Sequence, residues 1–246
     1  MKNYLDFSDK TVLVTGSTRG IGKTVAEFFA NHGASVVIHG RSMERVSREK
    51  DFFEQRGHRV IGVAADIRDR AQVDVLFSEI RRSYGRLDVV VHSAAFRPLR
   101  AIDDITDSEW RETLDVNLFG AFHIVRGAAA MMKDENKGSI ITIGSIASGT
   151  PPAYFNGIHY SVSKGALSAL TRSGAKELGA RGIRVNSLVL GPVVSEGVVP
   201  REVRDAASQS FLGRPLTAHE VAYACLFLAS PLASGISGES IVLGGY

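Results

Sequence analysis

Tyr160 and Lys164, in the stretch YSVSK, set a phenol four residues ahead of an ammonium in a segment whose pattern is helical. Residues at i and i+4 share a helix face, about 5–6 Å apart at Cβ, so their tips can enter one pocket. An ammonium about 4 Å from a phenolic oxygen, at an effective dielectric near 20, favours the phenolate by on the order of 4 kcal/mol. That is roughly three pKa units, enough to bring a tyrosine from about 10 towards neutrality. A phenol tuned in this way can serve as a general acid or base. Taken alone, the five residues are better read as a core tyrosine beside a solvated lysine.

A second constellation stands near the amino end, where TVLVT (11–15) runs into TGSTRGIGKT, Thr15 to Thr24. Gly16, Gly20 and Gly22 let the backbone turn tightly and bring its N–H groups, with a helix N-terminus, against a phosphate. A P-loop needs glycine five positions before Gly22 and Lys23, but Ser17 stands there. The dinucleotide fingerprint G-x-G-x-x-G fails too, because the spacing is G-x-x-x-G-x-G.

These residues must be carried by something. Runs rich in β-branched residues at 11–15, 35–39, 59–65, 88–92, 139–144, 183–190 and 240–243 alternate with helical patterns near 20–32, 42–56, 69–84, 107–133, 158–180 and 217–229. Such alternation implies right-handed βαβ units, so the expected fold is α/β: a single doubly wound, Rossmann-like domain over 1–246 with a seven-stranded parallel sheet and helices on both faces. Ligands then belong at the carboxyl ends of the strands. No composition shift marks a linker.

A length of 246 with 44% hydrophobic and 22% charged residues is that of an ordinary soluble protein. The start, MKNYLDFSDK, has no apolar signal-peptide core, and no apolar run reaches the length of a membrane span, so cytoplasm is the expected compartment and a membrane partner is not expected. The seven histidines lack metal-ligand spacing and the single Cys225 sits in an apolar helical stretch, so no metal is expected and the thiol reads as buried and inert. A net charge of +3, with short basic clusters inside polar helix faces, gives no reason to expect a nucleic-acid partner.

The G-x-x-x-G-x-G loop led by a threonine, with a Y-x-x-x-K helix downstream, resembles the short-chain dehydrogenase/reductase family, in its compact type of about 250 residues. Ser145 in ITIGSIASG matches the family's serine, Asn117 in LDVNLFGAF its asparagine, and FLAS (227–230) and the closing GGY fit its carboxyl end. The resemblance covers essentially the whole chain, which is similar to 3-oxoacyl-thioester reductases. It implies nicotinamide-dependent hydride transfer between a carbonyl and an alcohol. Tyr160 would exchange a proton with the substrate oxygen. Lys164 would lower the tyrosine's pKa and hold the nicotinamide ribose, Ser145 would bond the substrate oxygen, and Asn117 would support a water relay behind the lysine. Ser148 is a rival for Ser145, which is preferred because it directly follows the strand.

Cofactor contacts are implied for Gly16, Ser17, Thr18, Arg19, Gly20, Ile21 and Gly22 in the loop. Further contacts are implied for Asp66 and Ile67 after the third strand, Ser93, Ala94 and Ala95 after the fourth, and Gly191, Val193 and Ser195 after the sixth. The second strand ends VVIHGRS, with Gly40 and Arg41 where an acid would bind the ribose hydroxyls of NADH; Arg41 and Arg19 point to the 2′-phosphate of NADPH or NADP+ instead.

The chain departs from the family at HSAA (92–95), where asparagine, asparagine, alanine, glycine is usual, and at LGP (190–192), where the proline is displaced. His92 reads as a hydrogen-bonded structural substitute. Residues 1–140 are assigned to the cofactor and 140–246 to the substrate, with a substrate loop at 191–215. Tyr154, Phe155, Val193, Val194, Val198, Val199, Phe211 and Leu212 favour a substrate with hydrophobic bulk over a small polyol, and the resemblance leaves a 3-oxoacyl thioester, a ketone, a cyclic alcohol or a quinone open. Asp134 and Glu135 are expected near the pocket mouth, which argues against an acidic carrier partner. The rival readings are a silent NAD(P)-sensing protein on the same fold, an NAD-dependent alcohol dehydrogenase and, more distantly, a P-loop hydrolase. The resemblance also implies a homotetramer, or a homodimer, packed through 107–133 and 158–180.

Overall fold

Seven parallel strands form the main sheet of the computed structural model, which describes residues 4–132, 137–149, 156–195 and 201–245. They are β1 (Thr11–Thr15), β2 (Ser35–Gly40), β3 (Val60–Ala64), β4 (Val89–His92), β5 (Gly138–Ser145), β6 (Ile183–Leu190) and, last in the chain, β9 (Ser240–Leu243). Their order across the sheet is β3-β2-β1-β4-β5-β6-β9, so the chain reverses direction between β1 and β4. That crevice is where an open α/β sheet presents its ligand site.

Each buried strand sends alternate residues to opposite faces. In β1, Val12 and Val14 enter one core with Val25 and Phe29 of α1 (Gly20–Asn31), Phe53 of α2 (Met43–Glu54) and Val221 and Leu226 of α8 (Ala218–Ala229). Leu13 enters the other, with Leu76 and Ile80 of α3 (Arg70–Tyr84), Ile124 and Met132 of α5 (Gly120–Met132) and Ala175 of α6 (Ile158–Leu178). Four helix starts carry the side-chain caps that sequence signals announce. Ser42 caps α2, Asp69 caps α3, and Thr106 and Thr217 close capping boxes with Glu109 and Glu220 on α4 (Asp107–Leu114) and α8.

The strands and helices foreseen from sequence are present, with ends displaced by a residue or two. One expectation fails in an instructive way. The helix expected over 107–133 is interrupted by a π-helical turn at Asp115–Phe119, where Gly120 N–H reaches back to the Asp115 carbonyl. The extra residue turns Asn117 into the interior, where it is 1% exposed. The loop after β6 also holds structure that the sequence reading left out: α7 (Arg201–Ser208) and a two-stranded sheet of β7 (Val193–Val194) and β8 (Leu216–Thr217). Among the described residues no helix is long and apolar enough to cross a membrane.

Candidate active site

Two cavities lie along the carboxyl edge of the sheet and meet at Ile21, Ser93 and Ala95. The first, about 590 Å³, is bordered by Gly16, Thr18, Arg19, Gly20, Ile21, Gly22, Arg41, Asp66, Ile67, Ala94 and Ser195 among the residues foreseen. The loop that shapes it depends on glycine at two places in particular. Gly16 has φ +70°, and a Cβ there would stand 2.9 Å from Ala94 Cα. A Cβ on Gly22 would fall against the Gly16 carbonyl oxygen. Neither turn tolerates a side chain without moving backbone.

Helix α1 begins at this loop with no side-chain cap, unlike α2, α3, α4 and α8. A helix N-terminus facing a glycine-lined cavity with Arg19 and Arg41 on its border fits the phosphates of a dinucleotide. Ser17 is the exception among the loop residues expected to touch the cofactor. It does not border the cavity and is fully buried. Its N–H donates to the His39 carbonyl and its hydroxyl accepts from His39 N–H, so it ties the loop to β2.

His39 itself borders this cavity and was not foreseen. Its Nδ1 accepts from Gly16 N–H and its Nε2 donates to the Ala65 carbonyl, which fixes a neutral ring; burial holds its pKa down at about 4. Arg45, in the first turn of α2, also lines the site and was not foreseen. Asp66 borders the cavity with its carboxylate held by Arg68, whose hydrogen bond keeps the acid below the ordinary carboxylate range.

His92 replaces an asparagine at the end of β4. Its Nδ1 lies 3.0 Å from Thr15 Oγ1, which also accepts from Ala94 N–H at 3.2 Å. The hydroxyl thus bonds both the ring and the backbone after β4, bridging β1 to β4. Burial, with the nearby Lys164 charge, drives the His92 pKa down to about 3, so the ring is neutral. This is the structural substitute expected from sequence.

The second cavity, about 670 Å³, is bordered by Ser145, Tyr160 and Lys164, and by Leu99, Leu190, Gly191, Pro192, Val193, Val203 and Ala206. Ser145 ends β5 and its hydroxyl accepts from Ala147 N–H. Ser148 does not border this cavity among the described residues. Lys164 Nζ lies 5.6 Å from the centre of the Tyr160 ring and donates to the Ile143 carbonyl at 2.6 Å. It is 4% exposed, and burial lowers its pKa to about 8. The two side chains therefore do share a pocket. The desolvation that strengthens the field of the ammonium also makes that ammonium easier to lose.

Asn117 borders neither cavity. Its Oδ1 accepts from Phe96 N–H at 2.7 Å, and its Nδ2 donates to the Phe96 carbonyl at 2.9 Å and to Ser163 Oγ at 3.0 Å. The amide expected to support a relay is thus committed to bracing the loop after β4 against α6.

Of the apolar residues expected in the pocket, Val193 is there. Phe211 and Leu212 are 81% and 51% exposed and do not border it, nor does Val194. Tyr154, Phe155, Val198 and Val199 lie outside the described residues. So do Asp134 and Glu135. Cys225 is buried, and burial pushes its thiol pKa far up. Among the described residues no cluster of His, Cys, Asp and Glu is placed to hold a metal.

The family model described as enoyl-(acyl carrier protein) reductase matches residues 16–246, which spans the glycine loop and the Tyr160–Lys164 helix. The chain belongs to the short-chain dehydrogenase/reductase family. As an oxidoreductase of that family it is similar to the uncharacterized oxidoreductase YvrD of Bacillus subtilis (strain 168), at 34% identity over 96% of this chain and 95% of the relative. It is 32% identical to the 3-oxoacyl-[acyl-carrier-protein] reductase FabG of Escherichia coli (strain K12), over 98% of both. Among solved structures, a 7α-hydroxysteroid dehydrogenase complexed with NADH and 7-oxo glycochenodeoxycholic acid matches with TM-score 0.91 at 29% identity, over 100% of this chain and 97% of that one. Short-chain dehydrogenases/reductases bind nicotinamide cofactors and act on small molecules, and both features suit the two joined cavities.

Proposed function

We propose that the protein is an NADPH-dependent oxidoreductase that interconverts a carbonyl and an alcohol, with Tyr160 as general acid or base. The observation that carries this reading is the convergence of Ser145, Tyr160 and Lys164 on one apolar cavity that joins the glycine-loop cavity at Ile21, Ser93 and Ala95. When bound, the nicotinamide supplies or accepts the hydride. Ser145 orients the substrate oxygen towards Tyr160. In reduction Tyr160 gives that oxygen a proton, and in oxidation it takes one. The Lys164 ammonium favours the phenolate, and its hydrogen bond to Ile143 holds it in place. Asn117 is a positioning residue, keeping the loop after β4 and the helix of Tyr160 in register. The glycine loop at the start of α1 supports phosphate binding there, with Ser195 on the border of the first cavity and Gly191 and Val193 on that of the second.

NADPH rather than NADH is favoured by Gly40 and Arg41 at the end of β2, by Arg19 and Arg45 on the same cavity, and by the engagement of Asp66 with Arg68. The cavity volume and its Leu and Val lining support a moderately hydrophobic ketone or a 3-oxoacyl thioester. Residues 1–140 would serve the cofactor and 140–246 the substrate within one cytoplasmic domain. A homotetramer is supported by exposed Phe119, Phe122 and Val162 along the long helices and by exposed Tyr223 and Phe227 on α8 and Val242 on the edge strand β9.

The test is NADPH consumption against an acetoacetyl thioester, hydrophobic ketones and a quinone, run beside Tyr160→Phe. Turnover of one class that disappears in the variant supports the reading. Tight NADPH binding with no turnover of carbonyls or alcohols would replace it with that of a cofactor-sensing protein.

A further inference from the structure

Arg97 borders the second cavity, and the chemistry above gives it no task. It is exposed, and among the described residues its guanidinium makes no hydrogen bond or ion pair. Arg100, three residues on, shows the ordinary alternative, since its guanidinium pairs with Glu109 at 3.1 Å. No carboxylate borders the cavity among the described residues, and the other cation there, Lys164, is buried and held by the Ile143 carbonyl.

The backbone on either side of Arg97 is braced. Phe96 is held through both its N–H and its carbonyl by the Asn117 amide, and Arg100 N–H donates to the Asn156 carbonyl at 2.9 Å. Pro98 has a fixed φ and confines residue 97 to extended backbone. Among the described residues, the result is a guanidinium without a hydrogen bond or ion pair, mounted on a braced segment beside an apolar cavity that Ser145 and Tyr160 also border. The dinucleotide phosphates do not explain it, because Arg97 does not border the first cavity, where Arg19, Arg41 and Arg45 already stand. A guanidinium fork matches a carboxylate through two parallel hydrogen bonds, and partial exclusion of water by an apolar ligand strengthens the pair.

We propose that Arg97 is a specificity-determining residue that selects substrates bearing a carboxylate on an apolar body, holding the anion at the solvent end of the cavity while the carbonyl reaches Ser145 and Tyr160. The inference rests on the reading of this cavity as the substrate site and adds the class of substrate.

The probes are oxo acids in which the ketone stands progressively further from the carboxylate along an alkyl chain, each paired with its methyl ester. Their Kd values are measured by calorimetry on protein saturated with whichever oxidised nicotinamide cofactor it binds more tightly, and their turnover by oxidation of the reduced form. At the chain length that fits, the acid should bind at least about tenfold more tightly than its ester. Arg97→Gln should raise the Kd of that acid by about tenfold or more relative to the ester, and Arg97→Lys, which keeps the charge without the fork, should lie between. Cofactor affinity measured on each variant reports whether the fold and the first cavity are intact. Acid-to-ester ratios near one at every length, or a ratio that Arg97→Gln leaves as in the wild type, would overturn the proposal. Failure of the underlying reading looks different: the ligands bind with their preference intact, yet no ketone is reduced, or Tyr160→Phe reduces it as fast as the wild type.

Discussion

The two cavities hold their positive charges in opposite ways. Around the first, Arg19, Arg41 and Arg45 are exposed, so their charge costs little to keep and acts only when a phosphate arrives. In the second, Lys164 is buried with one carbonyl for company, so keeping its charge is costly and its protonation state becomes adjustable. The same difference separates recognition from chemistry. A binding cation has to be permanent, whereas a group that tunes a proton transfer must lie close to the balance between its two states.

Breaking the buried side should have the largest consequence. Lys164→Met should cut turnover by about a hundredfold or more, as expected for loss of a group that tunes a general acid, with NADPH affinity changed far less. Equal losses in both quantities, read from steady-state kinetics and fluorescence titration, would erase the distinction. On the exposed side, Arg41→Ala should weaken NADPH by about 10- to 100-fold, the worth of one or two charge-assisted hydrogen bonds, and NADH by much less. Added salt should erode the same preference, because exposed charges are screened. A smaller effect is expected from Gly22→Ala, which forces a methyl against the Gly16 carbonyl: destabilisation by about 1–3 kcal/mol, read as a lower Tm, with weaker cofactor binding.

The mildest signature is pH dependence. Lys164 titrates near 8 when folded and near the ordinary lysine value of about 10.4 when unfolded. Between those values the unfolded chain binds more protons, so this residue makes stability rise with pH from about 8 upward, and the gain is lost as pH falls through about 8. The difference in Tm between wild type and Lys164→Met should change across that window and be flat below it. For activity the sign reverses. Loss of the ammonium above about pH 8 removes the field on Tyr160, so kcat/KM for reduction should decline there, and Lys164→Arg should shift the decline to higher pH.

Much of this was legible from residue order. Alternating β-branched runs gave all seven main strands, because parallel strands buried on both faces must read as continuous apolar runs. The glycine loop and the Tyr160–Lys164 spacing announced themselves because local geometry restricts which residues fit. What stayed hidden depended on contacts between distant segments. The π-turn at Asp115–Phe119 arises where Asn117 meets Phe96 and Ser163, and no periodicity within 107–133 records that. Ser17 carries the spacing of a ligand residue, but its bonds to His39 turn it inward. Phe211 and Leu212 look like pocket walls in a list of apolar residues, while Leu99 and Arg97 were missed because they follow a short β4 in a segment without regular pattern.

The most direct test of the division between recognition and chemistry is the Tyr160→Phe variant, titrated with NADPH and followed through single-turnover reduction of the best ketone in the panel. NADPH affinity within a few-fold of wild type together with a rate lowered by about a hundredfold or more would place the proton transfer on Tyr160 and leave recognition to the arginine-lined cavity. A retained rate, or a rate lost only in proportion to NADPH affinity, would contradict it.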